Sequence, residues 1–410
     1  MNRVIYMDNH ATTRVDPRVL DAMLPFFGEK FGNPASRSHA YGWEAEEAVD
    51  RARAQVADLI RAKPKEIVFT SGATESNNIA LKGVLEFERQ RGEHVVTVVT
   101  EHNAILDPCR ALERAGLARA TYLTVDRDGL VDPDAVRGAI TDRTVLISVM
   151  LANNEIGTIH PLAEIGRIAK ERGILFHSDA TQGVGKIPVD VDALGLDLVS
   201  MSAHKLYGPK GCGALYVRSR GPRVRLAPLL HGGGHERGMR SGTLNAPGIV
   251  GLGKACEIAG QEMAAEQERV LALRERLHAA ISARVDGVRL NGHPTRRLAG
   301  NLNLSFAHIE AESLMIGLKD VAVSSGSACT SATLEPSHVL KAIGLSIDQA
   351  EGAIRFGLGR FNTEQEVDHV AGRVADEVAR LRGLSAAYAA SRRRATPEEG
   401  GSLDREKSAT

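Results

Sequence analysis

The chain has 410 residues, enough for two packed cores and too many for one ordinary domain. Lysine plus arginine and aspartate plus glutamate both number 51, so the formal net charge is zero, which argues against nucleic-acid and membrane-surface partners, since both call for a basic excess. The four cysteines (Cys109, Cys212, Cys256 and Cys329) show neither CxxC nor Cys/His spacing, which excludes a disulfide framework or a zinc site and fits a reducing cytosol.

The opening residues carry no signal-peptide apolar core. Apolar runs such as 145–152 are far shorter than a membrane span, so a cytoplasmic protein with no membrane association is expected. Between 44 and 60, Ala45, Ala48, Val49, Ala52, Val56, Leu59 and Ile60 recur at helical spacing. The run 67–70 reads as a strand that turns into a helix at 71–75. Residues 95–100 are strand-like, and 145–151 is a continuous apolar run, as in a strand buried on both faces. A helix at 165–172, strands at 174–177 and 196–201, and a short strand beyond a Gly/Pro turn follow. This βαβ alternation predicts an α/β fold with a mainly parallel central sheet, helices on both faces, and ligands at the carboxyl ends of the strands. A second amphipathic stretch, 263–281, carries Val270, Leu273, Leu277 and Ile281 and reads as the connection to a smaller α/β domain. There, 301–306 and 353–358 are strands. A final helix opens at Thr363 with Glu366 three residues on, the capping-box spacing, and Val367, Val370, Val374, Val378 and Leu381 give it one apolar face. From about residue 391 few apolar residues remain to be buried, and disorder is expected.

Lys205 is the most informative single residue. It follows Ser202, Ala203 and His204 at the end of an apolar run, where a lysine is positioned to form a Schiff base with a carbonyl cofactor. The stretch alone suits a surface lysine in a hairpin equally well. Ser71, Gly72, Ala73 and Thr74 at a strand-to-helix junction suit a phosphate, because small residues admit close approach and the helix start has free N–H groups, although many α/β turns look the same. Asp179, just past a buried strand, suits a pyridinium nitrogen or, as readily, a turn cap. Asn153 and Asn154 follow the strand ending at Leu151 and suggest a ligand contact. His102, after the 95–100 strand, is placed to stack on an aromatic cofactor and to move protons. In the segment 231–243, His231 and His235 have i,i+4 spacing, but the three glycines between them cost about 1 kcal/mol each in a helix, which argues against a metal site. A loop presenting Arg240, Ser241 and Thr243 to an anion reads better, with a purely structural loop as the alternative.

The most specific feature is 324–336. Around Cys329 the neighbours are small and polar, or Ala or Gly, whereas a core cysteine sits among Leu, Ile and Val. An exposed, reactive thiol on a loop is expected. The loop holds no Lys, Arg or His, so at an ordinary pKa of about 8.5 only a few per cent would be thiolate at neutral pH. Activation must then come from outside it, from His102 or the substrate. Cys109 and Cys256 lie in helical patterns and Cys212 in a turn, and these three read as structural.

Together these motifs resemble the cysteine desulfurases, most closely the housekeeping iron–sulfur-assembly (Isc) type, with the nitrogenase-associated (Nif) type as near neighbour. The matching stretches are 6–13, 31–39, 70–76, 153–157, 202–205, 231–243, 324–331 and 354–356. The resemblance implies a fold-type-I pyridoxal 5'-phosphate enzyme working as a homodimer on L-cysteine. It implies Lys205 as the Schiff-base lysine, Asp179 at the pyridine nitrogen, His102 on the ring and Gln182 at the ring hydroxyl. Ala73, Thr74, Ser202 and His204, with Ala203 between them, would hold the phosphate, and Thr243 would reach in from the other subunit. Asn154 and Arg355 would bind the substrate carboxylate, for which an arginine fork is well suited. Cys329 would receive the sulfur as a persulfide, leaving L-alanine, and pass it to an iron–sulfur scaffold protein and other acceptors. No metal is implied as intrinsic; Cys329 is a candidate transient 2Fe-2S ligand shared with a scaffold. The implied organisation is an arm over 1–15 joining the small domain, a large cofactor-binding domain over 16–262, a small domain over 263–390 carrying Cys329, and a tail over 391–410. Ala203 stands where the family often has Gly, a methyl's difference that should be tolerated, and His10 replaces a more usual small or amide residue. The tail does not match a scaffold-docking pattern. Rival readings are another fold-type-I reaction, such as a selenocysteine lyase or an aminotransferase, and a non-catalytic scaffold. The thiol argues against an aminotransferase, and the set Lys205, Asp179 and His102 argues against a scaffold.

Overall fold

Strands in the middle of a parallel sheet are covered by helices on both sides, so their sequences have to be apolar on both faces. The computed structural model of the chain, which describes residues 4–325 and 336–384, follows that rule. The chain opens with β1 (Ile5–Tyr6), α1 (Pro17–Met23), α2 (Pro25–Gly28) and α3 (Ala40–Leu59). The alternating region is β2 (Ile67–Thr70), α4 (Ala73–Phe87), β3 (His94–Val98), α5 (Asn103–Arg114), β4 (Arg119–Leu123), α6 (Pro133–Ala139), β5 (Thr144–Ser148), α7 (Leu162–Arg172), β6 (Leu175–Asp179), β7 (Leu198–Ser202) and β8 (Gly213–Val217). Then come α8 (Ala246–Ser282), β9 (Val288–Leu290), β10 (Asn301–Phe306), α9 (Ala311–Gly317), β11 (Val321–Ala322) and β12 (Ser324–Ser325). The last elements are α10 (His338–Ala342), α11 (Ile347–Glu351), β13 (Ala353–Gly357) and α12 (Glu364–Leu384).

The central sheet has the order β2-β8-β7-β6-β5-β3-β4. Only β8 is reversed; the other pairings, from β7 through β4, are parallel. Successive side chains point to opposite faces. Val68, Val95, Leu146, Leu198 and Leu215 therefore pack with Ile79 and Leu81 of α4 and Ile105 of α5. Phe69, Val96, Ile147, Phe176, Val199 and Tyr216 face the other way, into a core shared with α3, α7 and the first half of α8. The edge strand β4 is only partly buried.

A second core lies around the antiparallel sheet β12-β13-β10-β9, where Phe306 and Phe356 meet Val270 and Leu277 of α8 and Val370 and Val374 of α12. The amino-terminal arm belongs to this core: Met7 is buried in it, and β1 pairs with β11. α12 opens with the expected capping box, in which Thr363 and Glu366 exchange two 3.2 Å hydrogen bonds.

The helix expected over 263–281 is the second half of α8, which runs unbroken for 37 residues, so the expected boundary at 262/263 falls inside one helix. Its first half lacks a large apolar stripe because small residues admit close neighbours. A Cβ on Gly251 would come 2.5 Å from Met23 Sδ, and one on Gly253 would come 2.6 Å from Ala52 Cα. The segment bearing Cys329 and the tail beyond 384 lie outside the described residues.

Phe176 is fully buried in the middle of the sheet. Phe176→Ala should cost about 3–5 kcal/mol and lower the denaturant midpoint, read by circular dichroism.

Candidate active site

The carboxyl ends of β2, β3, β5, β6 and β7 open on one edge of the sheet, and most of the predicted residues sit there. Lys205 closes a single 3-10 turn, Ala203–Lys205, directly after β7. Its Nζ donates to the carbonyls of His10 and Ala11, both at 2.6 Å. Ala203 is fully buried against Gly208, where an added Cβ would stand 2.9 Å from the Ala203 methyl, so the extra methyl is accommodated. His204 pairs through Nδ1 with Thr12 Oγ1 at 3.1 Å; burial first, then the charges of Lys205, Lys210 and Lys186, push its pKa down to about 4.

Thr70 of β2 and Ser202 of β7 both pair with Gly213 of β8. That register brings the start of α4 against Ser202: a Cβ on Gly72 would lie 3.6 Å from Ser202 Oγ, and one on Gly213 only 2.6 Å from Gly72 Cα. Gly72 takes φ +151°, which glycine alone adopts readily, and no side chain caps α4. The N–H groups of its first turn, at Ala73 and Thr74, are thus left for an anion.

Asp179 ends β6 and is buried. Its Oδ2 accepts from Asn77 Nδ2 at 2.7 Å and its Oδ1 from the Thr181 N–H at 3.0 Å. Both donors are neutral, and no cation pairs with it among the described residues. His102 is the N-cap of α5, with Nδ1 accepting the Ala104 N–H at 3.0 Å. The neutral ring therefore carries its hydrogen on Nε2. Burial lowers the His102 pKa; Asp179 opposes the shift and Lys205 adds to it.

Asn153, expected at a ligand, is a structural residue. Its carboxamide accepts the N–H groups of Glu155 and Ile156 and donates to the Thr100 carbonyl. The Asn154 carbonyl accepts from Arg355 Nη1 at 2.8 Å, and Arg355 Nη2 reaches Asp8 Oδ1 at 2.9 Å. Arg355 Nε is buried without a partner. Gln182 uses both ends of its carboxamide: Nε2 donates to the His10 carbonyl at 2.9 Å, while Oε1 meets His10 Nδ1 and Lys186 Nζ, each at 3.0 Å.

Arg240, expected on an external anion, instead pairs with Glu75 at 2.8 Å. Ser241 is buried and Thr243 is exposed on the same loop. Cys109, Cys212 and Cys256 are buried, and burial raises all three thiols, the first two to about 12, as befits structural cysteines. Among the described residues no group of three His, Cys, Asp or Glu side chains suits a metal ion.

Two features test the fit to pyridoxal 5'-phosphate. A buried carboxylate with neutral donors only matches a protonated pyridine nitrogen, and an uncapped helix start beside a serine hydroxyl matches a phosphate. The residues fit the group.

Residues 5–370 match the aminotransferase class-V family, and the chain belongs to it: it is a fold-type-I pyridoxal-phosphate enzyme. It is 60% identical over 384 residues, 94% of this chain and 95% of the relative, to cysteine desulfurase IscS of Anaeromyxobacter sp. (strain Fw109-5). It is 57% identical over 381 residues, 93% of this chain and 92% of the relative, to cysteine desulfurase IscS of Rickettsia rickettsii (strain Iowa). Among solved structures, a NifS-like protein superposes with TM-score 0.85 at 39% identity, over 92% of this chain and 99% of that one. SspA in complex with cysteine superposes with TM-score 0.79 at 38% identity, over 88% and 100%. Within the class-V family the chain is a cysteine desulfurase.

The sequence reading missed several residues that shape this edge. Asn77 and Lys186 carry no local motif. Glu101 precedes His102 and is fully buried; Oε1 accepts the Met150 N–H at 2.6 Å, and burial, then Asp179, raise its pKa far above the usual range, so it keeps its proton. Glu155 is also buried, and its Oε2 accepts from Ser337 Oγ. Burial raises its pKa from 4.5 to about 7, against the Ser337 hydrogen bond and the Arg355 charge.

The folded pKa of Glu155 lies above the unfolded one, so the folded state keeps a proton that the unfolded state has lost. Its contribution to stability is complete below about pH 4.5 and is lost as pH rises to about 7. Glu155→Gln removes this dependence. Relative to wild type, the variant should gain stability across that window, by about 3 kcal/mol at most, seen as a difference in Tm that grows from pH 5 to pH 8.

Proposed function

We propose that Lys205, His102, Arg355 and Cys329 are the working groups with which this cysteine desulfurase removes sulfur from L-cysteine, leaving L-alanine and a persulfide on Cys329. The observation that carries the reading is electrostatic. Burial lowers the pKa of His102, with Asp179 from β6 opposing and Lys205 after β7 adding to the shift, and the charges of Lys205 and Arg355 from β13 add to the burial that lowers His10 and Lys186.

Pyridoxal 5'-phosphate, when bound, supplies the electron sink that loosens bonds at the substrate α-carbon. Asp179 would hold its ring nitrogen, Gln182 its hydroxyl, and His102 its face. Ala73, Thr74, Ser202, Ala203 and His204 would hold the phosphate, with Thr243 from a second subunit, and Lys205 would anchor it covalently. Arg355 meets the substrate carboxylate with Nε beside Asn154; its Nη atoms are already fixed by Asn154 and Asp8. Lys205 takes the α-proton and returns protons to the substrate carbons. His102 offers the hydrogen on Nε2. The Cys329 thiolate attacks the substrate sulfur: an S–S bond forms, the Cβ–S bond breaks, and its electron pair stays on carbon, which gains a proton to become the alanine methyl. Cys329 is thereby oxidised to the persulfide and the substrate carbon reduced.

The persulfide passes to an iron–sulfur scaffold protein and other acceptors, in the cytoplasm. Homodimerisation is supported by the exposed apolar side chains Leu24, Phe27, Phe31, Tyr41 and Trp43, which lie close in sequence and would be covered by a second copy. The proposed large and small domains are supported by the two separate cores, with α8 crossing between them.

Cys329→Ser should keep cofactor colour and lose persulfide, scored by mass spectrometry after L-cysteine addition; sulfide release at the wild-type rate in that variant would remove Cys329 from the reaction. Lys205→Ala should lower alanine formation by about 10²–10⁴-fold, the contribution of a placed acid–base group, and normal turnover would refute its role.

A further inference from the structure

Residues 326–335, which carry Cys329, run between two roots that the structure describes. The first root is β12, where Ser324 pairs with Arg355 and Ser325 with Ile354 of β13. Ser324 Oγ also donates to Asp8 Oδ1 at 3.1 Å, the same oxygen that accepts from Arg355.

The second root is the start of α10. Ser337 is its N-cap, accepting the N–H groups of Val339 and Leu340 on Oγ. The same hydroxyl spends its hydrogen on Glu155 Oε2. The next residue, His338, pairs through Nε2 with the Glu101 carbonyl at 3.0 Å, one position before His102. Both contacts fix this root to loops that leave the central sheet beside candidate site residues.

Glu155 is well placed to act as an anchor. Its backbone carbonyl accepts from Asn301 Nδ2 and Asn303 Nδ2 of β10, each at 3.1 Å, and its N–H is held by Asn153 Oδ1. Gly157 packs so closely on β10 that an added Cβ would stand 2.5 Å from Asn301 Cγ. The Glu155 main chain is therefore locked, and only its carboxyl is left to reach α10. A buried carboxyl is costly unless hydrogen-bonded, and Ser337 supplies that bond.

We propose that Glu155 is a positioning residue for sulfur transfer: through Ser337 it fixes the carboxyl-side root of the Cys329 segment to the corner where Arg355 and Asn154 meet. The proposal rests on Cys329 as the sulfur carrier. Glu155 itself touches neither sulfur nor the α-carbon. Its loss should slow the delivery of the thiol and leave α-proton chemistry intact.

Two readouts on the holoenzyme separate these effects. Exchange of the L-alanine α-hydrogen in D2O needs Lys205 and not Cys329. Single-turnover persulfide formation from L-cysteine needs both. In Ser337→Ala, persulfide formation should fall about tenfold, the loss expected when a buried carboxyl is left without its hydrogen bond, while alanine exchange stays within about twofold. Ser337→Thr, which retains a hydroxyl, should restore the wild-type rate. Glu155→Leu should give the same split with the Ser337 cap left in place, and it decides the matter if Ser337→Ala does not fold. Unchanged persulfide formation, or equal loss in both readouts, would overturn the proposal. Absence of persulfide on Cys329 in the wild-type enzyme would overturn the sulfur-carrier reading instead.

Discussion

A carboxylate buried at the end of a central strand sets the electrostatics of this site. Asp179 cannot be left in an apolar interior unless its charge is matched or hydrogen-bonded, and the chain supplies only neutral donors, Asn77 and the Thr181 N–H. The surroundings respond. Glu101 keeps its proton, because burial disfavours its charged form and the charge of Asp179 adds to that. His177, one turn of the pleat away, is held neutral between Ser148 and Ser200, with burial taking its pKa down to about 4 despite Asp179. Burial lowers the His102 pKa despite Asp179, and its Nδ1 is committed to the helix cap. Asp179 is left with neutral donors alone, at the edge of the sheet where Lys205 and His102 also lie.

Much of the fold was legible because buried parallel strands leave an unmistakable record. β2 and β10 coincide with the expected runs 67–70 and 301–306, since apolar and β-branched residues fill both faces of one and the core face of the other. β4 gave no such signal: Arg119–Leu123 lies at an edge, partly exposed, and its five residues mix polar and apolar types. The first half of α8 was missed for the opposite reason. Its glycines and alanines are there for close packing on α1 and α3, and they dilute the apolar stripe that marks a helix.

The candidate site was legible in the placing of Lys205, Asp179 and His102, which lie at strand ends as expected. It was not legible where a residue acts through partners far along the chain. His10 stood out only as an unusual residue in its motif; its backbone carbonyl holds Lys205 and its ring holds Gln182, 172 residues away. The His10 carbonyl, which only accepts, fixes which way the Gln182 carboxamide points, and Lys186 Nζ meets the oxygen left facing it. Neither role leaves a local pattern. Glu155 was quoted within a motif, but its bond to Ser337 spans 182 residues.

The same long spans explain why the arm ends up inside the site. Its described residues form one strand of two residues and no helix before Pro17, too little to hold a shape alone. What fixes it is contact with surfaces that other elements have built: β11 beside β1, the Gly357 carbonyl for Asn9, Arg355 for Asp8, and Lys205 for the His10 and Ala11 carbonyls. The entropy of closing such long loops grows only slowly, by about 0.6 kcal/mol for each doubling of length, so a separation of 347 residues between Asp8 and Arg355 is not prohibitive. The requirement is order rather than energy. β7 must end where Lys205 can reach the arm, and β13 must offer Arg355 from the other core, before either of these contacts can form. The site is consequently complete only when the central sheet, the small sheet and the arm are all in place, which ties the positions of Lys205 and Arg355 to the folding of the whole described chain.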